Sequence, residues 1–121
     1  MMKKTILIFD DDRETLSVSK MILEQQDYKV EIRDNCDNII EDINQENPDI
    51  VLMDLWMPET GGENAIILMK NNSGTRHIPA ILFSANDEIE EICRRSQANG
   101  YLKKPFSIAE LLDIIDKHVG E

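Results

Sequence analysis

Along the chain, short apolar runs alternate with segments in which apolar residues recur every three or four positions. Thr5-Ile6-Leu7-Ile8-Phe9, Ile50-Val51-Leu52-Met53 and Pro79-Ala80-Ile81-Leu82-Phe83 are nearly unbroken. Runs of this kind predict strands buried on both faces, as in a parallel sheet covered by helices on each side. Tyr28-Lys29-Val30-Glu31-Ile32 alternates instead, the pattern of an edge strand, and Gly100-Tyr101-Leu102 predicts a short second edge.

Between these runs the period changes to that of a helix. Cys36, Ile39, Ile40 and Ile43 form one stripe, Ile89, Ile92, Cys93 and Ser96 a second, and Ile108, Leu111, Leu112, Ile115 and Val119 a third. Asp12 is placed to cap the first helix and Asn86 the fourth, while Ser107 and Glu110 have the spacing of a capping box. Asn47-Pro48 ends the second helix. Five strand–helix units imply right-handed crossovers and a three-layer α/β/α sandwich, a flavodoxin-like (βα)5 fold. Strands 1, 3 and 4 are central and 2 and 5 lie at the edges, so the expected parallel order is 2-1-3-4-5. Ligands bind such sheets at the carboxyl ends of the strands, at the switch point between strands 1 and 3.

Composition narrows the classes. With 121 residues the chain is expected to be one domain over 1–121, and 41% hydrophobic residues suffice for a core. Twenty-four acidic residues against 13 basic ones give a net charge of −11, with −9 of it in residues 1–60. Such acidity without a basic stripe argues against nucleic-acid binding. The longest nearly apolar stretch, Ile50 to Met57, is interrupted by Asp54 and is too short to span a membrane. Met1-Met2-Lys3-Lys4 leads into too few apolar residues for a signal peptide. Cys36 and Cys93, both on apolar stripes, read as reduced core thiols of a cytoplasmic protein.

The strand ends carry the chemistry. Strand 1 runs into Asp10-Asp11-Asp12, strand 3 into Asp54, strand 4 into Ser84, and strand 5 into Lys103-Lys104-Pro105. Crowded carboxylates repel one another unless a cation joins them. An all-oxygen donor set with room for water and phosphate favours Mg²⁺ (or Mn²⁺) over Ca²⁺. A carboxylate can itself be a nucleophile, with a lysine and a hydroxyl stabilising a transferring phosphoryl group. Taken singly, each residue has a plainer reading: a turn and cap for the aspartates, a backbone-bonded hydroxyl for Ser84, solvated lysines for Lys103 and Lys104. Asp54 is the exception, because a charge that ends Ile-Val-Leu-Met is costly without a partner.

Four motifs, Ile6 to Asp12, Val51 to Pro58 with Gly62, Ile81 to Ala85, and Tyr101 to Phe106, resemble in order and spacing the receiver domains of two-component response regulators. The resemblance spans essentially the whole chain. It implies that Asp54 is the phosphoacceptor, that Asp11 binds Mg²⁺ directly and Asp10 mainly through water, and that Asp54 and the Trp56 backbone carbonyl complete the protein ligands. Ser84 matches the family's switch hydroxyl, Lys104 its salt-bridging lysine and Tyr101 its switch aromatic. The Lys104–Pro105 bond is commonly cis in this family. Implied partners are a histidine kinase or histidine phosphotransfer protein and a downstream target. That target is either a separate protein or an output domain outside this chain, reached through the face of helix 4, strand 5 and helix 5. The implied state is a monomer or a weak phosphorylation-dependent dimer. Two positions depart from the family pattern: Gly61 replaces a frequent acidic residue, and Gln97 replaces a glycine at the end of helix 4.

Three rival readings are a small aspartate-nucleophile phosphohydrolase using Asp10-x-Asp12, a flavodoxin-like FMN protein, and a receiver fold that signals without phosphorylation. The chain has little room for a hydrolase cap, and three aspartates after strand 1 repel an FMN phosphate. Trp56, the only tryptophan, either packs over its loop or also shields a phosphoryl group at Asp54 from water. Shielding predicts that Trp56→Asn dephosphorylates faster than wild type in a phosphate-release assay, and equal rates would remove the idea.

Overall fold

The computed structural model describes residues 3–57 and 59–119. The elements follow in strict alternation: β1 (Thr5–Phe9), α1 (Arg13–Gln25), β2 (Lys29–Arg33), α2 (Ile39–Glu46), β3 (Ile50–Asp54), α3 (Gly62–Lys70), β4 (Ala80–Ser84), α4 (Ile89–Ser96), β5 (Gly100–Lys103) and α5 (Ile108–Val119). The five strands form one parallel sheet in the order 2-1-3-4-5 expected from the pattern. The three unbroken apolar runs are the three central strands, and every residue of β1, β3 and β4 is buried. Only β2 and β5 carry exposed residues.

Strand alternation sorts the core into two layers. Leu7, Phe9, Val51, Met53, Ala80 and Leu82 pack with Ile39, Ile43, Ile66, Met69 and Ile92 from α2, α3 and α4. Ile6, Ile8, Ile50, Leu52, Ile81 and Phe83 pack with Leu16, Leu23, Leu111 and Ile115 from α1 and α5. No helix among the described residues is long and apolar enough to cross a membrane.

Asp12 caps α1, accepting from the N–H groups of Glu14 and Thr15. Ser107 and Glu110 form the reciprocal capping box at α5. Asn86 does not cap α4 directly: its side chain accepts from Glu88 N–H in a turn, and the helix starts later, at Ile89. Cys36 lies outside α2, which starts at Ile39, yet it is fully buried and its thiol donates to the Gly61 carbonyl at 3.5 Å. Burial holds the Cys36 thiol up at about 11 and raises that of Cys93, so both stay protonated and inert.

Two backbone positions matter for the site. A Cβ on Gly62 would stand 2.2 Å from the Asp54 carbonyl oxygen and 2.9 Å from Leu55 Cα. Only glycine lets α3 start directly against the end of β3. Gln97, one of the two departures from the family pattern, closes α4 in the left-handed region at φ 69°, with Ala98 N–H donating to the Cys93 carbonyl. The helix end is therefore compact despite the side chain, at a steric cost that glycine avoids. Gln97→Gly is expected to raise unfolding stability by about 0.5–1 kcal/mol in urea titration, and an unchanged or lower midpoint would contradict the strain.

Candidate functional site

Strand register brings the proposed residues together. Phe9 pairs with Met53, so Asp10 and Asp54 leave neighbouring strands side by side. Asp54 pairs with Phe83 and Ser84 with Lys103, which sets Ser84 and Lys104 at the same carboxyl edge. Lys104 N–H donates to the Ser84 carbonyl at 2.9 Å, and the Lys104–Pro105 peptide is cis, as the resemblance implies. One carboxylate oxygen from each of Asp10, Asp11 and Asp54 lies within 4.8 Å of the others. Asp10 and Asp54 are buried, and Asp11 is exposed.

The buried carboxylates are incompletely partnered. Asp10 Oδ1 accepts from Asp12 N–H at 2.9 Å, while its Oδ2 is buried with no partner. Asp54 Oδ1 is buried without a hydrogen bond, and Lys104 Nζ stands 3.6 Å away. That lysine also lies 5.2 Å from the Phe83 ring centroid, a favourable seat for a cation. Desolvation, reinforced by the charge of Asp10, pushes the Asp54 carboxyl up to about 6. Lys104 and the Trp56 backbone N–H act in the opposite sense. Desolvation raises Asp10 as well.

An all-oxygen donor set with two orphaned buried oxygens fits a hard divalent cation, which would satisfy them and offset the repulsion. No hydrogen bond among the described residues uses the Trp56 carbonyl, so it too is free to serve. The Trp56 side chain is 66% exposed. It is therefore not packed down over its loop, and shielding of a phosphoryl group requires the ring to fold inward. Pro58, the end of that motif, lies outside the described residues.

Ser84 is buried, and its Oγ accepts from Asn86 N–H at 3.0 Å. Its own proton stays available for donation. Tyr101 is 37% exposed on β5 and points outward. Sequence reading missed the contribution of Asn86, which holds the Ser84 hydroxyl instead of capping α4. A serine two residues before a turn-forming asparagine is the signal that could have found it. Lys103, one residue from Lys104, pairs with Asp87 and stays out of the carboxylate cluster.

The raised Asp54 carboxyl has a consequence for stability. The folded chain holds this proton more tightly than the unfolded chain, where an aspartate titrates at about 3.9. Its contribution is therefore neutral at low pH, turns unfavourable as pH rises from about 4 to about 6, and is fully unfavourable above that. In metal-free buffer Asp54→Asn is expected to be more stable than wild type by about 1–3 kcal/mol at pH 7.5, with the gap closing near pH 4. Chemical denaturation across pH checks this, and a gap independent of pH would contradict it.

Comparison with known proteins gives a consistent answer. Residues 6–116 match the model of the response regulator receiver domain. The phosphate regulon transcriptional regulatory protein PhoB of Klebsiella pneumoniae is 30% identical over 113 residues, covering 92% of this chain; the chain spans only 49% of that relative's length. The polar-differentiation response regulator DivK of Brucella ovis is 28% identical, with 99% of each chain covered. Among solved structures, a putative response regulator from Chloroflexus aurantiacus superposes with TM-score 0.92 at 21% identity, covering 99% of this chain and 100% of its own. The receiver domain of the sensor histidine kinase PA1611 of Pseudomonas aeruginosa, solved with magnesium coordinated in its active-site cleft, gives TM-score 0.89 at 26% identity, covering 99% of this chain and 100% of its own. The architecture, the acidic cluster at its switch point and the family match agree: this chain belongs to the response regulator receiver domains of two-component signalling.

Proposed function

We propose that Asp54 is the residue that accepts the phosphoryl group, from a phosphohistidine on a histidine kinase or phosphotransfer protein. The observation that supports this most strongly is the position of Asp54: buried, at the switch point, with one unbonded carboxylate oxygen and a lysine 3.6 Å away. In the step, an Asp54 carboxylate oxygen attacks phosphorus. The phosphorus–nitrogen bond breaks, the imidazole nitrogen takes its electron pair, and an acyl phosphate remains on Asp54. Asp54 must be ionised to attack, so phosphorylation is favoured above its pKa of about 6.

Mg²⁺ (or Mn²⁺) held by Asp10, Asp11, Asp54 and the Trp56 carbonyl would supply positive charge to the phosphoryl oxygens. Lys104 supplies a second, fixed positive charge, and Ser84 donates its hydroxyl proton to a phosphoryl oxygen once the group is in place. Asp10, held by Asp12 N–H, orients the acidic pair. In this reading the domain promotes its own phosphorylation and dephosphorylation but is a regulatory acceptor rather than an enzyme with its own substrate.

The output is a population shift. Drawing Ser84 toward the phosphoryl changes the β4–α4 loop, and the vacated space admits Tyr101. The face of α4, β5 and α5 then presents a different surface to a cytoplasmic protein target or to an output domain outside this chain, with the receiver as a monomer or weak dimer. The deciding experiment uses acetyl phosphate with Mg²⁺ and intact-mass detection. Wild type is expected to gain one phosphoryl group, Asp54→Asn none, and Lys104→Ala to lose most of the switching response while still being labelled slowly. Labelling of Asp54→Asn with loss on Asp10→Asn would favour the hydrolase reading instead.

A further inference from the structure

Lys103 and Asp87 take no part in the chemistry above, yet they join the β4–α4 loop, which that chemistry asks to rearrange, to β5, which carries Tyr101. Lys103 is the last residue of β5 and lies opposite Ser84 in the sheet register. Tyr101 and Lys103 are the exposed members of that strand, Gly100 and Leu102 the partly buried ones. From this outer strip Lys103 Nζ pairs with the carboxylate of Asp87 in the β4–α4 loop. Asp87 directly follows Asn86, whose N–H is donated to Ser84 Oγ. The loop is thus tied twice: inside by the Ser84 hydroxyl and outside by an ion pair to β5.

We propose that the Lys103–Asp87 ion pair is an autoinhibitory latch that holds the β4–α4 loop against β5 in the resting arrangement and opens when Ser84 turns to a phosphoryl group. The inference rests on Asp54 being the phosphoacceptor. Its physical basis is chain connectivity. Asp87 is three residues from Ser84, and Asn86 between them is bonded to the Ser84 hydroxyl, so displacement of that hydroxyl carries the Asp87 carboxylate with it. The other end, Lys103, is fixed by the strand ladder. An ion pair that spans a moving and a fixed element favours whichever state allows both ends to meet. Tyr101 precedes Lys103 by two residues on the same strip, so the latch stands beside the ring that must move.

With side chains 52% and 89% exposed, the pair is a fine adjustment rather than a lock. Exposed pairs bias a two-state equilibrium by about 1.5- to 5-fold. The probe is beryllofluoride with Mg²⁺, titrated into the full chain and followed by NMR signals of the Tyr101 ring and the Ser84 amide. Asp87→Asn and Lys103→Gln are each expected to lower the half-saturating beryllofluoride concentration by about 1.5- to 5-fold. The double variant should gain no more than the better single one, and the charge exchange Asp87→Lys with Lys103→Asp should return toward wild type. The direction separates a latch from a simple field effect. An anion sensing only local charge would bind more tightly without Asp87 and more weakly without Lys103. Opposite shifts, or none in either variant, overturn the latch while a wild-type response leaves the phosphoacceptor reading standing. A wild type that takes up no beryllofluoride overturns both.

Discussion

The structure turns on the cost of two carboxylates buried side by side. Asp10 and Asp54 leave adjacent central strands in register, each with an oxygen that has no hydrogen-bond donor, and one lysine faces them. A core built only for stability would not carry this arrangement, because unpaired buried charge works against folding. Under the proposed function the cost becomes preorganisation: a site short of positive charge would bind a cation, and cation and lysine together would receive a phosphoryl group.

The rest of the fold serves to hold that edge. Fully buried β1, β3 and β4 give the carboxylates a rigid base. Gly62 lets α3 begin against the Asp54 carbonyl without a clash. At the other end of α3, Lys70 donates to the carbonyls of Arg76 and Ile78 and to the Asn99 side chain, fixing the approach to β4 and β5. A bidentate pair between Arg95 and Glu63 ties α4 to the start of α3. By contrast the β4–α4 loop is held by side-chain contacts to Ser84 and Lys103, the kind of attachment that a local change in charge can exchange.

Much of this was legible in the residues. Unbroken apolar runs identified the buried central strands, because burial on both faces erases alternation. Strand order then placed Asp10, Asp54, Ser84 and Lys104 at one edge, since parallel strands all end on the same side. The caps at Asp12 and Ser107 were legible because each rests on a few adjacent residues. The misplacements share a cause. Cys36 fits the α2 stripe by spacing, but it lies in the loop before α2, buried in the core and bonded to the Gly61 carbonyl, 25 residues away. Asn86 has a capping side chain, but the following turn delays the helix. The Lys103–Asp87 pair and the left-handed Gln97 depend on tertiary position, which periodicity does not encode.

The buried carboxylates of Asp10 and Asp54, with the exposed Asp11 beside them, make an electrostatic environment suited to a divalent cation. The most direct measurement is the thermal unfolding midpoint of the metal-free chain as Mg²⁺ is added at pH 7.5. A saturable rise is expected in the wild type, strongly reduced when Asp11 is changed to Ala and lost near pH 4, where Asp54, its carboxyl pushed up to about 6, holds its proton. A midpoint that does not respond to Mg²⁺, or that responds equally in the Asp11 variant, would contradict it.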